Sequence, residues 1–287
     1  AWTLWEAANY GGILGFLSVG SGKTVAGLLA PFAFSDCRLA VILIEPSQRQ
    51  HYRAHYHRLR EHFKTSSIIF DDNSGYTVPG TPPLHVVPYS RLSQTNSTDL
   101  LERLNPDVII ADEAHRIAGQ SARTRRILRY VRKRIAEREE MIRNGLPVRR
   151  RAVYFLPWSG TLEDKSIRDA QHLSAFALGT GSPLPLDPAE ADKWSQVIDP
   201  VKMPDISSGT ARALQRAFGG GEVNAQSVAA MLLSKPEEAI RKGYQARRRF
   251  TPGVVSASLG SIGAAIYFKE RKAPPIPKVI QDALSGI

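Results

Sequence analysis

The chain has 287 residues, 43% of them apolar and 23% charged, with one cysteine and a net charge of +11. That length supports one large domain or two modest ones around a buried core, and it excludes an internal disulfide or a cysteine-built metal centre. No apolar stretch approaches the ~20 residues that span a bilayer, no leader pattern opens the chain, and the basic balance favours a polyanionic partner.

Residues 2–10 predict a helix, and 11–17 (GGILGFL) an apolar run that ends at a glycine-rich loop. A helix is expected over 24–29, with Pro31 near its end. The continuous apolar run 39–44 predicts a strand buried on both faces. A polar helix follows over 48–63, then short strands at 67–70 and 85–87, and a helix at 99–104. Val108-Ile109-Ile110-Ala111 and the run 153–156 predict two more buried strands. Strands alternating with helices specify an α/β fold with a doubly wound, mostly parallel sheet. That texture ends near Thr161. Beyond it, 166–178 and 209–245 read as helices around the loop SPLPLDP, and 252–268 as strands. The start without Met and the end in a helix-like stretch read as a piece of a longer, cytoplasmic protein.

Two segments carry chemistry. Ser18-Val19-Gly20-Ser21-Gly22-Lys23-Thr24 follows an apolar run and opens a helix, the context of a phosphate-binding loop. Gly20, Ser21 and Gly22 let backbone N–H groups wrap a phosphate, with the helix dipole behind them. In such a loop Lys23 reaches the β- and γ-phosphates and Thr24 holds Mg²⁺. Leu17 stands where the loop pattern has its first glycine. The strand 108–111 delivers Asp112 and Glu113 to its carboxyl end, the edge at which open α/β sheets bind ligands. Asp112 there serves Mg²⁺, and Glu113 orients or deprotonates a water. Together they specify an ATP·Mg²⁺ site with Lys23, Asp112 and Glu113 as its catalytic groups.

Asp112-Glu113-Ala114-His115 after a buried strand resembles motif II of superfamily 2 helicases and translocases, and the glycine loop resembles their motif I. Ser159-Gly160-Thr161 resembles motif III and Glu45-Pro46-Ser47 motif Ia. The four in this order cover residues 1 to about 165. The resemblance implies a RecA-like ATP-binding lobe, with His115, Ser159 and Thr161 coupling nucleotide state to movement and Pro46 and Ser47 touching the nucleic-acid backbone. PYSRL at 88–92, NPDVIIADEAHR at 105–116, WSGT at 158–161 and TPGVV at 251–255 are similar to Swi/Snf-type helicase-like proteins of bacteriophages, which would place the protein in a host-cell cytoplasm. The family's adenine-reading Gln is not found in Trp2 to Ala8, and Arg247-Arg248-Arg249 lacks the Q-x-x-G-R-x-x-R frame of the second lobe. The resemblance therefore implies a second RecA-like lobe from further sequence or a partner chain. Without its arginine finger, hydrolysis would be slower by on the order of 10³-fold. The expected division is a lobe at 1–165, a mainly helical extension at 166–250, and a strand segment and linker at 251–287.

Residues 121–151 are read as a basic insertion in the lobe. They hold twelve Arg or Lys against three Glu, most of the chain's excess charge. Ile127, Val131, Ile135 and Ile142 mark an apolar stripe at helical spacing, opposite Arg125, Arg129, Arg132, Lys133 and Arg134. This face either contacts nucleic-acid phosphates, of DNA or RNA, or is simply solvated. A second cluster, Arg241, Lys242 and Arg247–Arg249, is open in the same way. His51 and His55 have a metal-capable spacing without an evident third ligand and read as a polar helix surface. Trp158 reads as a core residue and Cys37 as a buried or half-buried small side chain. The principal reading is a nucleic-acid-dependent ATPase that moves on DNA; the rivals are a binding module that no longer hydrolyses ATP and a DNA-packaging motor.

Overall fold

The computed structural model describes residues 2–119, 121–162, 166–198, 244–245, 247–248 and 251–257. Of the helix expected over 209–245 only 244–245 are described, and of the strands expected over 252–268 only 252–257; Arg241, Lys242 and Arg249 lie outside the described residues.

The strands are β1 (Leu14–Leu17), β2 (Ala40–Ile44), β3 (Ile68–Phe70), β4 (Gly75–Tyr76), β5 (Leu84–Pro88), β6 (Val108–Asp112), β7 (Tyr154–Ser159) and β8 (Val254–Ala257). They form one sheet in the order β4-β3-β5-β2-β6-β7-β1-β8. Every pairing is parallel except β3 with β4. The helices are α1 (Trp2–Tyr10), α2 (Lys23–Leu29), α3 (Arg49–Leu59), α4 (Leu100–Leu104), α5 (Ala122–Arg143), α6 (Ile167–Leu178) and α7 (Pro188–Ile198).

Away from the exposed edge strand β4, the sheet is buried on both faces because its strands are apolar at successive positions. On β2, Ala40, Ile42 and Ile44 face a core shared with Leu4, Leu28, Tyr52 and Tyr56 of α1, α2 and α3. Val41 and Leu43 face the other core, with Leu101, Ile127, Tyr130 and Leu173 of α4, α5 and α6. The side-chain period of two thus sends alternate residues into two layers of helix. None of the described helices is long and apolar enough to cross a membrane.

Three features depart from the sequence expectations. The hairpin strand β4 is absent from them because two residues carry no periodicity; Gly75 is required there, since a Cβ would lie 1.9 Å from the Ile68 carbonyl oxygen. Helix α3 is polar only on one side: Tyr52 and Tyr56 are buried. Finally, β8 lies beside β1 in the same sheet, so residues 254–257 join the sheet of 1–165 rather than standing apart from it.

The segment 121–151 forms α5 and the crossover from β6 to β7. Ser121 caps the helix by accepting from the Thr124 N–H. Twenty-two residues make a helix of about 33 Å, whereas a five-residue strand spans about 17 Å. The helix therefore overshoots the sheet. Ile127 and Val131 pack as expected, but Ile135 and Ile142 are exposed, so only the first half of the predicted stripe is core.

At the end of the sheet where β6 begins, the buried Asp107 carboxylate accepts from the Arg38 N–H at 2.8 Å and is paired with the guanidinium groups of Arg38 and Arg149. Burial works to raise its pKa, yet the Arg38 hydrogen bonds and the two positive charges hold it below the ordinary 3.8. A depressed carboxylate pKa contributes stability above the unfolded-state value, and that contribution is lost as pH falls through the folded value. Asp107→Asn should lower the melting temperature at neutral pH, at a cost of about 1–3 kcal/mol. It should also shrink the wild-type loss of melting temperature below pH 4. An unchanged acid limb in the variant contradicts this.

Candidate functional site

Because β1, β2, β6 and β7 are parallel, the loops after them all leave the same edge of the sheet. Strand β7 lies between β6 and β1, with Trp158 opposite both Gly15 and Asp112, and Ser159 opposite Phe16. This register places Ser159 between the glycine loop and the acidic strand end.

The loop is turned by Gly20 and Gly22, at φ 80° and 82°. Side chains rarely adopt that region, which is why the two positions are glycine. The loop is closed by the Ser21 hydroxyl and N–H, both donating to the Ser18 carbonyl, at 2.7 and 3.3 Å. The Lys23 ammonium returns over the loop and donates to the Leu17 carbonyl at 3.0 Å. Leu17 itself is buried, so the non-glycine at this position offers the loop only its carbonyl and packs its side chain in the core.

Lys23 Nζ also donates to Glu113 Oε1 at 2.6 Å. Glu113 takes a left-handed backbone, φ 52° and ψ 51°, an uncommon conformation for a side-chain-bearing residue. It ends β6 and starts the short 3-10 turn Ala114–Ile117. Its other oxygen accepts from the Ser159 hydroxyl at 2.9 Å. The same hydroxyl lies 3.0 Å from His115 Nδ1 and 3.2 Å from the Thr161 hydroxyl. Burial opposes ionisation of Glu113, but Lys23 and Ser159 hold its pKa below the ordinary value. It is thus a carboxylate at neutral pH. Lys23, Glu113, His115, Ser159 and Thr161, predicted from three separate segments, form one connected group.

Asp112 is 2% exposed. Oδ2 accepts from Tyr52 Oη at 2.7 Å, and Oδ1 from Trp158 Nε1 at 3.0 Å and the Glu113 N–H at 3.1 Å. Burial pushes its pKa up, while the Tyr52 hydrogen bond resists. Tyr89, within the PYSRL segment, donates from Oη to the Asp112 carbonyl at 2.8 Å. Neither Tyr52 nor Tyr89 carries a signal for this role in the sequence, and Trp158 is expected only to pack. Trp158 is fully buried, as expected, and is also a donor to the acidic centre.

Thr24 lies in the first turn of α2, with Oγ1 3.5 Å from His51 Nε2. Its hydroxyl and the Asp112 and Glu113 carboxylates give an all-oxygen donor set beside an ammonium and a glycine loop. That set suits a hard divalent ion carried on a phosphate chain, and Thr24 and Asp112 are the groups that would hold Mg²⁺. The His51 and His55 rings lie 4.2 Å apart, tilted at 53°, but no cluster of three metal-ligating side chains occurs among the described residues. Cys37 is half-buried and, chiefly through burial, its thiol is pushed up to about 12, so it is protonated and inert at neutral pH.

The expected nucleic-acid contacts do not converge with this group. Pro46 and Ser47 are exposed in a 3-10 turn at the same edge, and Glu45 pairs with Arg116 at 2.7 Å, linking that turn to the one after β6. Arg125, Arg129, Arg132 and Lys133 are exposed along α5. Arg129 is paired with Glu102 at 2.7 Å and Lys133 with Glu137 at 3.8 Å. Arg125 and Arg132 make no side-chain hydrogen bond or ion pair among the described residues. Of the second basic cluster, Arg248 stacks on Phe16 of β1 at 4.3 Å and Arg247 lies over Trp194 at 5.7 Å.

A mixed α/β, mostly parallel eight-stranded sheet flanked by helices, with a glycine loop and an acidic strand end at one edge, is consistent with a RecA-like domain. Residues 9–136 match the family model of the type III restriction enzyme, res subunit, a helicase-like superfamily 2 ATPase domain. Domains of this kind hydrolyse ATP, generally with Mg²⁺, and generally bind nucleic acid. The matched span includes Lys23, Asp112, Glu113 and His115; Ser159 and Thr161 lie beyond it. A comparison with curated proteins gave no match.

Proposed function

We propose that this chain is the ATP-binding lobe of a DEAH-type superfamily 2 motor that couples ATP hydrolysis to movement on DNA. The observation that carries the reading is the single hydroxyl of Ser159, which contacts both Glu113 and His115 from the strand lying between loop and acidic end. The water-activating Glu113 and the coupling His115 are thereby joined to the segment that leads out of β7.

In this reading Gly20, Ser21 and Gly22 cradle the phosphates and Lys23 leaves Glu113 to donate to them. Glu113, freed of its ion pair, orients the attacking water and accepts its proton. The bound ion supplies charge neutralisation on the phosphates. Ser159, His115 and Thr161 transmit the change at Glu113 to the loop after β7. A second RecA-like lobe, from further sequence or a partner chain, closes the cleft and supplies the arginine. The likeness to phage-encoded Swi/Snf-type proteins favours translocation on duplex DNA in a host cytoplasm. The functional lobe is assigned to residues 1–165 together with β8 and with α6, which packs Leu173 and Leu178 into the core of the sheet, so that the extension expected at 166–250 begins after α6.

Hydrolysis is tested by ATPase assays with duplex DNA on wild type and Lys23→Ala. DNA contact is tested by salt titration: Arg125→Ala/Arg132→Ala should weaken duplex binding and reduce the slope of log K against log salt by about 2, one per lost phosphate contact. An unchanged slope removes α5 from the DNA surface.

A further inference from the structure

Asp112 sits on β6 between β2 and β7, and both of its carboxylate oxygens are met from the side by aromatic donors. Tyr52 Oη reaches Oδ2 at 2.7 Å from α3, and Trp158 Nε1 reaches Oδ1 at 3.0 Å from β7. Both aromatic residues are 0% exposed. A buried hydroxyl or indole N–H is costly unless it is bonded, and a phenylalanine would fill such a site without that cost. Each of these two polar atoms spends its donor on the same carboxylate. The fold also keeps room for them. A Cβ on Gly15 would lie 2.6 Å from Trp158 Cβ. One on Gly27 of α2 would lie 2.6 Å from Ile42 Cδ1, 3.5 Å from Trp158 Cζ2 and 3.8 Å from Tyr52 Oη. Gly15 is therefore matched to Trp158, whereas the close approach at Gly27 is to Ile42, with the aromatic pair at ordinary contact distance.

We infer that Tyr52 and Trp158 are positioning residues for the metal–nucleotide site, clamping the Asp112 carboxylate in the one orientation from which it can serve the ion. This rests on the proposed ATP site. A carboxylate has two free torsions, and donors fixed on two different elements remove both. The clamp also ties α3, the helix after the Glu45-Pro46-Ser47 segment, to the acidic strand end. Displacement of α3 would change the ion's ligand directly.

The test separates clamp from core. Tyr52→Phe removes one hydroxyl and keeps the ring. Wild type and variant, as full chains, are titrated with a fluorescent ADP analogue in Mg²⁺ and again in EDTA, and their melting temperatures are measured without nucleotide. The expected result is that Tyr52→Phe lowers the ratio of the two affinities about tenfold, the scale of one lost hydrogen bond to a charged group, with the affinity in EDTA unchanged. Trp158→Phe should move the ratio in the same direction; if it does not fold, Tyr52→Phe decides alone. A ratio equal to wild type in Tyr52→Phe, with or without a lower melting temperature, overturns the clamp and leaves the nucleotide site standing. A folded wild type that binds the analogue in neither condition overturns both.

Discussion

Lys23→Ala should reduce both nucleotide affinity and ATP hydrolysis, the latter by at least about a hundredfold, the scale seen when a preorganised donor to developing negative charge is removed. The ammonium is placed over the glycine loop, held by the Leu17 carbonyl at 3.0 Å and Glu113 at 2.6 Å. Its removal should cost little in folding. It leaves Glu113 able to keep its bond to Ser159 at 2.9 Å, and neither residue lies in the apolar core. The expected signature is therefore a normal melting temperature with no detectable binding of a fluorescent nucleotide at concentrations that saturate wild type. A variant that binds nucleotide as tightly as wild type would show that the loop does not use Lys23 as proposed.

Glu113→Gln should behave in the opposite way in binding and the same way in hydrolysis. The amide keeps an oxygen for the Ser159 hydroxyl but cannot accept a proton from water, so turnover should fall about 10²–10⁴-fold, the range of a lost general base. Nucleotide affinity should hold or rise. In the resting structure Lys23 is engaged by a carboxylate whose pKa is held low by that pairing, and incoming phosphates must compete for it. A neutral amide removes the competitor. Single-turnover hydrolysis and nucleotide titration on the same preparation distinguish the two variants: one loses binding, the other loses only chemistry. Wild-type turnover in Glu113→Gln would assign the base elsewhere.

The parts of this site that were legible beforehand are those coded locally. A glycine loop before a helix, and two acids after a run of apolar residues, need no knowledge of what lies next to them. The same holds for strands β2 and β6, whose continuous apolar runs leave one reading. The side-by-side contacts were not legible. Tyr52 looks like one apolar position on a helix, and its partner is 60 positions away; only the pairing of α3 with the end of β6 brings hydroxyl to carboxylate. Trp158 was placed in the core because a tryptophan before a strand end reads that way, and it is in the core; its N–H direction depends on the β6–β7 register. The apolar stripe of α5 was over-read because helix periodicity carries no information about where the sheet beneath it stops. Strand β8 was assigned away from the lobe because its neighbour in the sheet, β1, is more than two hundred residues earlier.

Lys23, Glu113 and Ser159 are proposed to form an ATP-hydrolysing site whose activity is tied to nucleic acid. Steady-state ATP hydrolysis by the protein, measured with and without duplex DNA, is the decisive test, with Lys23→Ala as the control. Slow basal hydrolysis that duplex DNA stimulates is expected, both lost in the variant. A protein that binds DNA but hydrolyses no ATP above the Lys23→Ala background would contradict the assignment.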